Sequence, residues 1–187
     1  ESLRMTFTHA RDIVLLDAID ALPRIGYEGP LWRVCRQGRD PLQGHASGGR
    51  WDPGRFDVLY CSLDPNGAAA EMQFHLSREP VFPSKLVFER HHLGAQLKRT
   101  LRLGDMTALA ALDGDIKTYG SLHYQRCQEI GDAACFLGFD GLIVPNARWD
   151  CLNAVIFTET AEPSALKLLS SEQIDLMNWA RKFKKPR

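Results

Sequence analysis

The sequence predicts an α+β fold, with mostly antiparallel strands in mixed sheets and helices flanking them. Two observations lead there. Stretches of period two and of period 3.6 are interspersed along the chain without the regular strand–helix–strand alternation of a parallel α/β fold. The length of 187 residues, with 44% hydrophobic and 25% charged residues, suits one domain around one well-formed core. No internal repeat, low-complexity tract or Ser/Gly linker divides the chain.

Each element follows from local pattern. In "HARDIVLLDAIDA" (9–21), Ile13, Leu16 and Ile19 stand at helical spacing, and Pro23 ends the helix. "LWRVCR" (31–36) alternates as a strand does, so Arg33 shares a face with Leu31 and Cys35 and is expected to be partly enclosed. From Gln37 to Asp57 the chain is rich in Gly, Pro, Asp and Ser; a loop this long in a compact domain is more often functional than incidental. "VLYCS" (58–62) reads as a short strand. Asp64 then caps a helix with Pro65 at its first position, and "NGAAAEMQFHLS" carries that helix to about Ser77. Pro80 and Pro83 forbid its continuation. "KLVFER" (85–90) and "AQLKRTLRL" (95–103) read as two strands, paired as a hairpin. "MTALAAL" and "LHYQRCQEIGDAACFLG" read as helices, and "DGLIVP" (140–145) and "LNAVIF" (152–157) as strands joined by "NARWDC". The tail "SEQIDLMNWARKFKKPR" reads as an amphipathic helix whose basic end suits a helix C-terminus. The layout is therefore an N-terminal helical segment (1–29), a core (30–158), and a C-terminal strand and helix (159–187) belonging to the same domain.

Composition narrows the function classes. With 23 basic and 23 acidic residues the formal net charge is zero, which removes the bulk electrostatic case for nucleic-acid or membrane-surface binding while leaving room for a local basic pocket. No apolar run approaches the roughly 20 residues needed to span a bilayer. The opening "ESLRMTFTHARD" carries no hydrophobic signal segment, so a cytosolic protein is expected, with Met5 a candidate native start. Five cysteines stand singly, without C-x-x-C pairs or histidines at zinc spacing, which suits reduced thiols acting as small hydrophobes. His91 and His92 alternate faces on a strand, a poor geometry for a metal.

The segment "ASGGRWDPGRFDVLYCSLDPNGAAAEM" (46–72) concentrates unusual chemistry. Guanidinium groups at Arg33 and Arg50 can grip phosphate oxygens in a two-pronged way, and the Gly48–Gly49 step lets backbone approach a ligand closely. Tyr60 offers a stacking face to a flat heterocycle. Glu71, on the following helix, can hold ribose hydroxyls and stabilise an oxocarbenium-like transition state. Together these types suit cleavage at a nucleotide's glycosidic carbon. Each also has an ordinary reading. The arginines could be ion-pair partners, Tyr60 a core residue, "GGRWDPG" a tight turn, and Glu71 a surface partner of His75 one turn on.

"LWRVCR", "GGRWDPGRFDVLYCSLDPNGAAAEM" and "GLIVPNARWDCLNAVIF" resemble, in order and spacing from about residue 30 to 158, the RES domain, named for its Arg, Glu and Ser. The family comprises toxins of bacterial toxin–antitoxin pairs, usually encoded beside an antitoxin with an Xre-like or related DNA-binding domain. The resemblance implies an ADP-ribosyltransferase-like fold and an activity that consumes NAD. Matched position by position, the family's Arg is Arg33, its second basic position is Arg50, its strand Tyr is Tyr60 and its Glu is Glu71. The family's Ser position is occupied here by Asn146, in "VPNAR", which is expected to contact ligand and not to attack it. Arg148, two residues on, is read first as a surface residue and second as a further phosphate contact. The implied mechanism has Arg33, Gly49 and Arg50 at the phosphates, Tyr60 on the nicotinamide and its ribose, and Glu71 supporting positive charge at the anomeric carbon. No metal is required, because nicotinamide leaves from an already cationic ring. The ADP-ribose acceptor is left open among a cellular protein, water and phosphate, and the expected partners are a cognate antitoxin and any protein target of ADP-ribosylation. Two other readings stand beside this one: an RNA-targeting toxin, and a non-catalytic nucleotide-binding module in which Asn146 replaces the Ser.

Overall fold

The computed structural model describes residues 10–114, 117 and 119–183. Among these, six strands and five helices follow in the order α1 (Ile13–Asp20), β1 (Ile25–Arg36), β2 (Val58–Ser62), α2 (Pro65–Ser77), β3 (Phe88–Arg102), α3 (Met106–Ala110), α4 (Gln125–Phe136), β4 (Gly141–Pro145), β5 (Leu152–Phe157), β6 (Leu166–Ile174) and α5 (Leu176–Phe183). The architecture is α+β, and every pairing is antiparallel except β3 with β4.

The strand order is β1-β2-β5-β4-β3-β6, with β1 also paired to β3, so five strands close into a circuit and β6 lies outside it. The circuit closes unevenly. β1 and β3 pair along most of β1, from Ile25↔Thr100 to Arg36↔Phe88, whereas β1 meets β2 at the single position Trp32↔Ser62. Each strand of the circuit contributes to one buried cluster, with Leu31, Leu59, Leu93, Ile143 and Ile156 as members. A second cluster lies where α1, α3 and α4 cover the sheet, through Ile19, Leu109 and Ile130 against Leu142, Val155 and Phe157. Helix α2 packs on β1 through Ala68 and Ala69, beside Val34 and Phe88. Small side chains on that face let the helix lie close to the strands.

Three expectations are revised. The segments 85–90 and 95–103 are not a hairpin. Residues 88–102 form one strand, because His91–Gly94 find partners on both edges, Arg33–Pro30 on one side and Ser171, Ser170, Leu168 and Lys167 on the other. The tail is not helical from Ser171. Residues 166–174 form β6, and cross-strand contacts override the helical periodicity: His91 Nδ1 lies 2.8 Å from Ser171 Oγ, and Arg90 pairs with Glu172 at 2.6 Å. The helix starts only at Leu176, with Asp175 Oδ1 accepting from Asn178 N at 2.9 Å. β1 is also longer than expected, beginning at Ile25. The start of the 9–21 helix at His9, the candidate start at Met5 and the basic end at 184–187 lie outside the described residues.

Two outcomes follow for stability. A Cβ at Gly131 in α4 would collide with the backbone carbonyl oxygen of Trp51, which cannot move without moving the loop. Gly131→Ala is expected to lower unfolding free energy by about 1–3 kcal/mol or more, as overpacking does, in urea denaturation. His91 is 3% exposed, and burial holds its imidazole below its ordinary pKa. The unfolded chain therefore binds the proton more readily, and stability should drop as pH falls from about 7.5 to about 5. His91→Gln should flatten that dependence in urea titrations at each pH.

Candidate active site

The loop before β2 is organised around one buried carboxylate. Asp52 is 0% exposed; its Oδ1 accepts from Gly48 N at 2.7 Å and Gly54 N at 3.1 Å, and its Oδ2 accepts from Gly49 N at 2.9 Å and from the Tyr60 hydroxyl at 2.8 Å. The Tyr60 oxygen also accepts from Trp51 N at 2.9 Å. A side chain at Gly49 would come within 2.6 Å of the Tyr60 oxygen, so the glycine is required by close approach to that ring. Gln128 of α4 donates to the carbonyl of Gly49 at 2.8 Å and closes the other side. The "GGRWDPG" segment is thus held rigidly, and Arg50 projects from it.

Helix α2 supplies the opposite wall. Asp64 accepts from Asn66 N at 2.7 Å and Gly67 N at 3.2 Å, fixing the helix start. A Cβ at Gly67 would strike Ser62 Oγ, so the glycine lets α2 begin hard against the end of β2. Glu71, Phe74, His75 and Arg78 then fall on one helix face, at helical spacing. Between the walls lies a cleft of about 570 Å³, lined also by Trp32, Arg33, Tyr60, Tyr119, Tyr124, Ala147, Arg148 and Asn153. That volume is in the range of small-molecule sites.

The structure brings Arg33, Gly49, Arg50, Tyr60 and Glu71 to this one cleft. Asn146 is the exception. It is 8% exposed and absent from the cleft wall, because its side chain is fully engaged behind it. Oδ1 accepts from Arg148 N at 2.7 Å and Trp149 N at 2.9 Å, while Nδ2 donates to Asn153 Oδ1 at 2.8 Å and approaches Gly67 O at 3.4 Å. Asn153 in turn donates to Glu71 Oε1 at 3.4 Å, and Ala147 N donates to the same oxygen at 3.3 Å. Asn146 shapes the β4–β5 loop around Glu71. Arg148 is likewise no simple surface residue: its guanidinium carbon lies 3.3 Å from the centroid of Phe74, in the cleft wall.

The cations are held mostly by rings and carbonyls. Arg50 sits between Tyr119 and Tyr124, 4.7 and 4.6 Å from their centroids, and donates to Ser121 O at 3.2 Å. Arg33 donates to the carbonyls of Pro41 and Gln43 at 2.9 and 3.1 Å. Among the described residues none of Arg33, Arg50, Arg78 and Arg148 forms an ion pair with a carboxylate. Arg50 NH1 and Arg148 Nε are buried without a hydrogen-bond partner there. Burial pulls Arg148 below its ordinary value, with Glu71 opposing and Arg50 adding to the effect. Charged donors of this kind suit an anionic ligand.

Protonation rules out some chemistry. Burial pushes the Tyr60 phenol well up, with the Asp52 charge reinforcing it, so the hydroxyl stays a donor and does not serve as a base at neutral pH. Burial raises all five cysteines, Cys61 to about 12, which leaves no thiolate nucleophile near pH 7. Among the described residues, Glu71 is the carboxylate that lines the cleft.

The RES domain family model matches residues 30–177. The chain belongs to the RES domain family. Its relatives include proteins of Mycobacterium bovis and Mycobacterium tuberculosis described as NAD(+) phosphorylase MbcT; each is 27% identical over 171 residues, 87% of this chain and 91% of the relative. Among solved structures, that of the M. tuberculosis MbcT–MbcA toxin–antitoxin complex matches this RES domain with a TM-score of 0.79 and 23% identity. The match covers 92% of this chain and 98% of that one, and at this identity it shows a shared fold. Among the described residues, no helix of this RES domain is long and apolar enough to cross a membrane.

Sequence reasoning missed Asp52, Phe74, Tyr119, Tyr124 and Asn153. Asp52 had a signal, a carboxylate set among Gly48, Gly49 and Gly54; the tyrosines come from a segment remote in sequence and had none. Tyr60→Phe is expected to cost about 1–3 kcal/mol, because it leaves Trp51 N and Asp52 Oδ2 short of a partner in a buried site. Urea denaturation would measure it, and Tyr60→Leu, which also removes the ring, should cost more.

Proposed function

We propose that this protein is the toxin of a toxin–antitoxin pair and that it consumes NAD by cleaving the nicotinamide–ribose bond. The observation that carries the reading is that, among the described residues, Glu71 stands alone among carboxylates in a cleft whose four arginines have no acidic partners. The relatives described as NAD(+) phosphorylase support NAD as substrate and phosphate as the acceptor of the ADP-ribosyl unit.

In this reading Arg33 and Arg50 hold the pyrophosphate, and the ring faces of Tyr60 and Trp32 bound the base and ribose. The Tyr60 hydroxyl, tied to Asp52 and Trp51, keeps its ring fixed and leaves no proton transfer to it. Glu71 accepts from ribose hydroxyls and stabilises the positive charge that grows at the anomeric carbon as the C–N bond breaks. The bonding pair goes to the nicotinamide nitrogen, which becomes neutral, so no general acid is needed for departure. A phosphate oxygen then bonds to the anomeric carbon, and the phosphate proton passes to solvent. Ala147 N and Asn153 hold one Glu71 oxygen, orienting the carboxylate before substrate arrives. A cognate antitoxin is the proposed partner, since unrestrained NAD consumption would harm the producing cell.

Nicotinamide release from NAD by purified, antitoxin-free protein tests this. Glu71→Gln is expected to slow release by about 100-fold or more, the scale of losing a main electrostatic stabiliser, with the fold unchanged by circular dichroism. Mass spectrometry should find ADP-ribose 1″-phosphate. Modified lysate proteins instead would make a protein side chain the acceptor, and RNA loss at constant NAD would overturn the reading.

A further inference from the structure

We infer that Arg148 and Arg78, flanking the Phe74 ring one to two turns beyond Glu71 on α2, form a separate subsite for the acceptor, a tetrahedral oxyanion of the inorganic phosphate class. The inference rests on the NAD-consuming reading and assigns the second substrate a place.

Three observations carry it. The first is position. Glu71, Phe74, His75 and Arg78 share the cleft-facing side of α2, and Arg148 lies on Phe74 from the opposite loop, its guanidinium carbon 3.3 Å from the ring centroid against 5.7 Å for Arg78. An oxyanion held there lies near Glu71, whose charge acts on Arg148, on groups that come from the end of α2 and the β4–β5 loop and not from β1 or the loop before β2. The second is unmet donor capacity. Arg148 Nε is buried without a partner, and the stacking on Phe74 keeps the guanidinium in one orientation while leaving its edge free. The third is charge. Among the described residues the cleft wall carries four arginines and one glutamate, three positive charges in excess. NAD brings roughly one negative charge, its two phosphate charges being offset by the pyridinium, whereas phosphate brings about −1.5 to −2 near neutral pH. The dinucleotide alone leaves the cleft with an excess, and the pair of substrates nearly cancels it.

The step balances. One oxygen of hydrogen phosphate bonds to the anomeric carbon, the carbon–nitrogen bond breaks with its electrons on nicotinamide, and the phosphate proton leaves to solvent after the ester forms. Arg148 and Arg78 hold two of the three oxygens that do not attack.

Initial rates of nicotinamide release, with inorganic phosphate varied at saturating NAD and NAD varied at saturating phosphate, test the subsite. For wild type the rate should saturate in phosphate. Arg148→Gln should raise the KM for phosphate at least about tenfold while the KM for NAD stays within about twofold, since a charge-assisted contact to phosphate alone is lost. Arg148→Lys should fall between, because it restores the charge but not the two-pronged edge. The exposed Arg78→Gln carries the test if Arg148→Gln does not fold. An unchanged phosphate KM in Arg78→Gln and in the folded Arg148 variants would overturn the subsite. So would wild-type release indifferent to phosphate, although NAD consumption would then stand. No release at all by wild type would remove the NAD reading and the subsite with it.

Discussion

The cleft depends on a carboxylate that does not face it. Asp52 is fully buried and surrounded by three backbone amides and the Tyr60 hydroxyl. A buried charge without such donors would be strongly destabilising. Its presence therefore forces the chain to bring Gly48, Gly49 and Gly54 inward, and two of these take positive φ, +69° at Gly48 and +78° at Gly54. The turn so formed seats Trp51 in the helical core cluster and sends Arg50 the other way. One buried side chain thus sets the path of the loop, anchors the Tyr60 hydroxyl and fixes the origin of the main phosphate-gripping candidate.

The basic character of the cleft is kept by the way its cations are fixed. A guanidinium anchored by a carboxylate loses much of its pull on a ligand, because its charge is already neutralised. Arg50 between two tyrosine rings and Arg148 on Phe74 are instead held by quadrupoles, which orient the plane and leave the charge available. Where carboxylates do meet arginines, the pairs lie away from the cleft: Asp132 with Arg11 and Arg55 fastens the N-terminal segment and the loop to α4.

Local signals made much of this legible. The cap at Asp64, Pro65 at the helix start, the run of alanines and the prolines after Ser77 specify α2 without help from the rest of the fold, and so place Glu71. The alternation in "LWRV" likewise places Arg33. What sequence could not show depends on distant partners. A helical reading of 171–175 fails because the edge of β3 offers that segment hydrogen bonds that a helix of the same residues would not exceed. Asn146 stands where the family places a small hydroxyl. Its longer amide reaches past the cleft to the backbone of Arg148 and Trp149, a reach that no residue pattern displays.

The strand circuit has one thin seam, a single rung between Trp32 and Ser62, and the cleft opens beside it. Beyond that rung β1 and β2 part, so peptide groups that a longer ladder would have consumed border the opening. Main-chain groups are the same whatever residue carries them. A wall built partly of peptide edges can accept substitution after substitution without losing its hydrogen-bonding character, provided the strands keep their splay.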